Sequence, residues 1–295
     1  MTYFKWVPQK GALEEAQIII PKFGILKILL YLCTMMRKIE DIQELRQIQI
    51  GILDDVHRFC EENGLRYFLS SGTLIGAVRH KGYIPWDDDI DIYMPRKDYE
   101  KFLASYRDDN GVYRAINPQT EPHYYYTFAK VVDLRTHMVE KESEGYEIGV
   151  YMDIFPVDYV TDNLSRRERV FRLKKLLYKI RRCKISNVNP LQSRLAYWCY
   201  KSLPVSAHYV FRLIQRLIVL EKPTHTVCNM TEAGPKMKGC FPAEDIASSV
   251  DIAFENKTYK TMVGYKDYLE RTYGDYMTLP PVEQRVTHQF EAYWK

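Results

Sequence analysis

Ser70-Ser-Gly-Thr-Leu-Ile-Gly-Ala-Val-Arg-His-Lys-Gly-Tyr-Ile-Pro-Trp-Asp-Asp-Asp-Ile-Asp-Ile-Tyr-Met94 is the stretch whose reading decides the fold. Ile90 to Met94 reads as a strand, and residues two apart on a strand point to one side. Asp89 and Asp91 then project together, with Ile90 and Ile92 on the opposite, buried face. Two carboxylates about 7 Å apart along a strand suit a divalent cation. Mg²⁺ takes hard oxygen ligands and keeps phosphate oxygens in the rest of its shell. Upstream, Gly72-Thr73 turns a short strand, Leu65 to Ser70, into a helix from Thr73 to His80. That turn aims backbone N–H groups and the positive end of the helix dipole outward, a seat for phosphate.

A phosphate seat facing a carboxylate pair is equipment for phosphoryl or nucleotidyl transfer. A third acid is expected on a neighbouring strand. Asp153, in Val150-Tyr-Met-Asp-Ile-Phe-Pro156, fits, because a lone carboxylate in an apolar strand is costly unless it serves a metal or a charge partner. Two plainer readings stand beside this one: a solvated acidic loop, and a calcium site. The EF-hand template partly fits, with Asp87, Asp89, Asp91 and Asp98 at its first, third, fifth and twelfth positions, but Ile92 stands where the loop needs glycine.

Outward from this stretch, apolar residues at 39, 42, 45, 48, 52, 56 and 59 mark one face of a helix that Asn63-Gly64 stops. Lys97 to Tyr106 returns to helical spacing. Tyr125 to Asp133 and Gly149 to Phe155 read as further strands, the second ending at Pro156. This is a mixed α/β plan with a small sheet. From Arg166 to Lys184 ten Lys or Arg face one acid, Glu168, around a helical stripe of Val170, Leu173, Leu177 and Ile180. That helix is read as a solvated face, with an anionic membrane or lipid-linked acceptor as the alternative. Nucleic acid is disfavoured because base-stacking aromatics are sparse there. More helix is expected from Leu191 to Leu220. The run Tyr124-Tyr125-Tyr126 offers at most two rings to an aromatic box for a quaternary ammonium, since neighbours on a strand alternate faces.

Composition agrees with a globular protein: 295 residues, 46% hydrophobic, 27% charged, net charge +4, which excludes collagen-like and wholly disordered classes. The charge is too mild to mark a nucleic-acid binder. Six cysteines without C-x-x-C spacing exclude a zinc knuckle or a disulfide miniprotein, so a reduced, cytoplasmic compartment is expected. No secretory signal is read at the N-terminus. The apolar stretch Ile28 to Met36 is too short to span a bilayer. Residues 16 to 36 read as a core-packing helix or one lying in a membrane interface.

Gly72-Thr-Leu-Ile-Gly-Ala-Val-Arg-His-Lys-Gly82 and Ile84-Pro-Trp-Asp-Asp-Asp-Ile-Asp-Ile92 closely resemble the signature of the LicD family of phosphotransferases, relatives of the fukutin-related proteins. The resemblance continues in Ala129-Lys-Val-Val-Asp133, in Met152-Asp-Ile-Phe-Pro-Val-Asp158, and in Tyr273-Gly-Asp-Tyr-Met277, Leu279-Pro-Pro281, Arg285 and His288. It implies a nucleotidyltransferase-like core over residues 39–160, with a small mixed sheet. A basic helical region (161–225) and a C-terminal cap (226–295) elaborate that core, and residues 1–38 are an extension without counterpart. It implies transfer of a phosphorylated small alcohol, phosphocholine or similar, from a CDP-activated donor to a cell-surface glycan or lipid-linked glycan precursor. Asp89 and Asp91 correspond to the metal carboxylates, with Asp153 as third by fold analogy, for Mg²⁺ or Mn²⁺. Gly72 and Thr73 would meet the donor diphosphate. Arg79 and Lys130 would neutralise phosphate or make surface ion pairs. Asp87 and Asp88 would deprotonate the acceptor hydroxyl or hold the turn. Trp86 flanks the acids, and Arg285 and His288 would close the site from the tail. Local motifs leave open a true nucleotidyltransferase that releases pyrophosphate, and a calcium-binding or membrane-docking module without catalysis.

Overall fold

The computed structural model describes residues 36–121, 123–139, 148–186, 189–231, 239–285 and 291–295. Expectations for residues 1–35 and for His288 lie outside them. Strand β1 (Arg37–Ile39) leads into helix α1 (Ile42–Asn63). The Asp41 side chain accepts the Gln43 N–H to cap its start, and Gly64, at φ 61°, ends it with its N–H on the Cys60 and Glu61 carbonyls. The helix stops where Asn63-Gly64 predicts.

The next strand is shorter than its apolar run suggests: β2 is Phe68–Leu69 alone. Helix α2 (Ser71–Arg79), strand β3 (Asp91–Pro95) and helix α3 (Arg96–Ser105) follow within a residue or two of expectation. Then come β4 (Tyr113–Ile116), β5 (Ala129–Asp133), β6 (Thr136–Met138) and β7 (Tyr151–Val160). Strand β7 runs through Pro156, where the sequence reading ends it. On one edge it pairs with β5 up to Ile154 and with a later strand only from Val157. Asp153 donates its N–H towards β3, so by alternation residue 156 faces that other edge. The N–H that proline lacks therefore falls in the gap between two partners.

The basic region folds as α4 (Leu164–Ile185), α5 (Arg194–Ser202) and α6 (Ala207–Ile218); the single expected helix from Leu191 breaks around Pro204. Helix α4 is not simply a solvated face. Arg167, Lys174 and Arg181, spaced by seven, are buried, and Leu173 is turned outward. Arg181 donates to the carbonyls of Tyr124 (2.5 Å), Tyr125 (2.7 Å) and Tyr126 (3.2 Å), so its charge satisfies the backbone of the segment leading into β5.

The chain closes with β8 (Thr226–Asn229), β9 (Cys240–Pro242), β10 (Ser249–Phe254), β11 (Lys257–Met262), α7 (Tyr265–Tyr273) and β12 (Ala292–Trp294). The main sheet has the order β2-β3-β7-β5-β4, with β8 and β9 continuing from β7. Its β3–β7 pair is parallel and its other pairs are antiparallel. A mixed α/β fold is thus confirmed. One apolar cluster runs from Ile52 in α1 through Ile92, Val131 and Ile154 in the sheet to Tyr268 and Leu269 in α7, so the C-terminal segment shares the core of the sheet. Strands β1, β12 and β6 form a second, small sheet. No helix among the described residues is long and apolar enough to cross a membrane.

Candidate active site

The parallel pairing of β3 with β7 puts Asp91 and Asp153 in direct register. Asp153 donates its N–H to the Ile90 carbonyl (2.8 Å), and Ser70 donates its own to the Asp91 carbonyl (3.0 Å). The end of β2, the acid-bearing start of β3 and the middle of β7 therefore meet at one place. Asp87, Asp89 and Asp91 are half-buried, whereas Asp88 and Asp153 are buried.

Helix α2 begins at the same place under backbone constraint. Ser71 takes φ 49°, a left-handed conformation costly for a residue with a side chain. Ser70 makes no side-chain cap, and its buried Oγ has no hydrogen-bond partner. The first-turn N–H groups have no helical carbonyl to accept them, and a helix start of this kind suits an anion. Gly72 lets the Asp87 carboxylate lie close: a Cβ there would come 2.7 Å from Asp87 Oδ2. Thr73, expected at the donor phosphates, is buried instead, and its Oγ1 accepts the Asp91 N–H (2.9 Å), tying helix to strand.

Lys130 lies opposite Asp153 on the antiparallel neighbour β5, with Nζ 2.6 Å from Asp153 Oδ1. Its ammonium sits 3.3 Å from the Tyr151 ring centroid, 4.6 Å from Tyr126 and 5.6 Å from Phe128. Tyr126 thus belongs to an aromatic box, and the cation in it is the chain's own. Tyr125 carries the Arg182 guanidinium at 4.6 Å, and Tyr124 is in the core.

Arg79 and Arg285, far apart in sequence, come within electrostatic range of each other, with Arg285 beside Trp86. Arg79 Nη1 donates to the Tyr276 carbonyl (2.5 Å), and the Arg285 guanidinium lies 4.7 Å over the Trp86 ring. Burial, and then the Arg285 charge, lowers the Arg79 pKa; burial and Arg79 lower that of His80. A site where two cations repel each other is prepared for an anion.

Three contributors escaped the sequence reading. Arg46 on α1 donates to the carbonyls of Ile84 (3.0 Å), Pro85 (3.1 Å) and Asp87 (2.7 Å) and stacks over Tyr83. Gln49, one turn on, donates to the Asp88 carbonyl (2.7 Å) and accepts from the Tyr83 hydroxyl (3.1 Å). Nothing in a helical stripe signals that its polar residues hold a distant loop. Tyr273, in the Tyr273-Gly-Asp-Tyr motif, is 44% exposed overall but turns its hydroxyl inward towards Ser71 and Tyr268, and desolvation there pushes its pKa up.

No group of three or more His, Cys, Asp or Glu among the described residues is arranged to hold a metal by itself. The donor set fits a cation whose shell is completed by substrate phosphates: Asp89 and Asp91 are half-buried rather than closed off, and Asp153 Oδ1 is already engaged by Lys130.

A mixed sheet that carries carboxylates beside the start of a helix is the arrangement expected of an enzyme of phosphate-group transfer. Residues 64–196 match the profile "LicD/FKTN/FKRP, nucleotidyltransferase domain". Lipopolysaccharide cholinephosphotransferase LicD of Haemophilus influenzae is 30% identical over 268 residues, covering 85% of this chain and 97% of that protein. Ribitol 5-phosphate transferase FKRP of Homo sapiens is 30% identical over 122 residues, 41% of this chain and 18% of that protein. The chain belongs to the LicD family and is a phosphotransferase of that type.

Proposed function

We propose that this enzyme transfers a phosphorylated small alcohol, phosphocholine or a relative of it, from a CDP-activated donor to a hydroxyl of a glycan or lipid-linked glycan. The observation that supports the reaction class is a match spanning 97% of a cholinephosphotransferase. The first turn of α2 and the Arg79–Arg285 pair bind the donor diphosphate from two sides. Asp89 and Asp91 would hold Mg²⁺ or Mn²⁺, which when bound neutralises phosphate charge. Asp87, whose carboxylate lies against Gly72, takes the proton from the acceptor hydroxyl. The hydroxyl oxygen bonds to the phosphorus bearing the alcohol, the bond to the CMP oxygen breaks, and CMP leaves. Lys130 pairs with Asp153 and fixes it beside Asp91.

The test is CMP release from CDP-choline and CDP-ribitol in the presence of a glycan acceptor, with Mg²⁺ and with EDTA. CMP formation that needs metal, and that falls about 10²–10³-fold in Asp89→Asn and Asp91→Asn, supports the reading. Full activity in either variant, or pyrophosphate released from CTP in place of CMP, overturns it.

A further inference from the structure

Charge in this chain is segregated. Residues 164–220 carry 14 Lys or Arg and one acid, a net +13, so the rest of the +4 chain carries −9. Three of those cations, Arg167, Lys174 and Arg181, are buried and serve the fold. Most of the others face solvent on α4, α5 and α6.

The same helices expose large apolar side chains that the core does not use. Leu195 is 76% and Trp198 65% exposed on the outer face of α5, and Leu173 and Leu176 are 46% and 41% exposed on α4. At about 100° per residue, Leu173, Arg169 and Leu176 share one narrow arc of α4, and Arg172 and Lys179 border it on one side. On α5, Leu195 and Trp198 fall on one side with Arg194 beside them. A narrow apolar ridge edged by cations is the pattern of a helix lying in a bilayer interface, where tryptophan is favoured at headgroup level. A nucleic acid would be served by the cations alone and gives no role to leucines in water.

We infer that the outward faces of α4 and α5 form a docking surface for an anionic lipid bilayer, with Leu173, Leu176, Leu195 and Trp198 entering the interface and Arg169, Arg172 and Lys179 meeting the headgroups. Each cation near an anionic surface adds attraction within a Debye length, so binding depends on lipid charge and on salt. The surface shares no residue with the carboxylate site, and the inference does not rest on the reaction proposed above.

The experiment is co-sedimentation of the full-length chain with vesicles of phosphatidylcholine alone and of phosphatidylcholine mixed with phosphatidylglycerol. The expected result is binding to the anionic vesicles, weakened by salt. It should drop about tenfold or more in Leu195→Ser/Trp198→Ser and in Arg169→Glu/Lys179→Glu, with unchanged melting temperatures. If a double variant fails to fold, Trp198→Ser alone and Arg169→Glu alone replace it. No sedimentation with anionic vesicles overturns the inference. So does undiminished binding by the variants, which would place the contact elsewhere in the chain. Equal affinity for a single-stranded polynucleotide, insensitive to loss of Leu195 and Trp198, would instead assign the surface to nucleic acid and also overturn it.

Discussion

Lys130 and Asp153 face one another in register on β5 and β7, with the ammonium 2.6 Å from the carboxylate and its side chain 1% exposed. On its other side Asp153 is in register with Asp91. The lysine therefore compensates a buried carboxylate directly behind the candidate metal carboxylates. Removing one partner of such a pair strands the other charge, at about 3–5 kcal/mol. Lys130→Met should lower the unfolding free energy by about that amount in urea denaturation. Lys130→Met/Asp153→Asn should recover much of the stability and none of the transfer activity. A single variant as stable as the parent would show that the pair is not buried in solution.

Arg46 and Gln49 hold the acidic loop through its backbone carbonyls, so they act as positioning residues. Arg46→Ala leaves three carbonyls to find water and frees the segment that sets the direction of Asp87 and Asp89. The expected loss of stability is about 1.5–3 kcal/mol for bonds to a charged donor. The informative readout is the Mg²⁺ concentration for half-maximal activity, which should rise, whereas a purely structural role would change only the melting temperature. Arg46→Lys should rescue little, because one ammonium cannot reproduce the spread of a guanidinium.

Gly72 and Gly76 lie one turn apart on α2 and should respond differently to alanine. At Gly76 the new Cβ would sit 2.4 Å from the Gly82 carbonyl oxygen, a backbone atom that cannot swing away. At Gly72 it would meet the end of the Asp87 side chain at 2.7 Å, which can move. Gly76→Ala is therefore expected to cost about 1–3 kcal/mol of stability by overpacking. Gly72→Ala should leave the melting temperature nearly unchanged and lower kcat by displacing Asp87. Parallel thermal melts and rates separate the two outcomes.

What the sequence made legible was local. The strand carrying Asp91, the helix after Gly72 and the stop at Gly64 follow from residue spacing and backbone preference, and each lies within a residue or two of its reading. Partnership across the sheet was legible only in part: Asp153 reads as the acid on a strand neighbouring Asp91, as the pairing shows, but its pairing with Lys130 does not. The register that sets Asp153 between Asp91 and Lys130 depends on strands far apart in the chain. Pro156 reads as a strand end until the change of neighbour on one edge of β7 is known. The basic helix reads as solvated because charge alone does not reveal that Arg181 is needed by three carbonyls 55 to 57 residues away. Arg79 and Arg285 were each candidates, but only the fold brings their charges near one another.

Cys228 and Cys240 oppose one another on β8 and β9, with their sulfurs 2.7 Å apart. The next pair along, Asn229 and Gly239, is bridged by Asn229 N–H to the Gly239 carbonyl (3.4 Å). By the alternation of antiparallel ladders, the cysteines thus occupy the narrow, non-hydrogen-bonded position where side chains approach most closely. The hydrogen bond between the two sulfurs, and then the Arg167 charge, lowers the Cys240 pKa from its ordinary value, while that bond and burial push the Cys228 pKa well up. Hydrogen peroxide should therefore oxidise this pair first: the two thiols give up two electrons and two protons to form one disulfide, and the peroxide becomes two waters. Peptide mapping without reductant should show the 228–240 cross-link while Cys60, which is buried with its pKa raised, stays alkylatable after unfolding. The reaction should speed up as pH rises through the lowered Cys240 pKa, since the thiolate is the nucleophile. Closing so short a loop should raise stability by about 3 kcal/mol, measured by denaturation with and without reductant. Scrambled cross-links, or a rate that begins to rise only in the range of a free thiol, would show that Cys240 has no such environment.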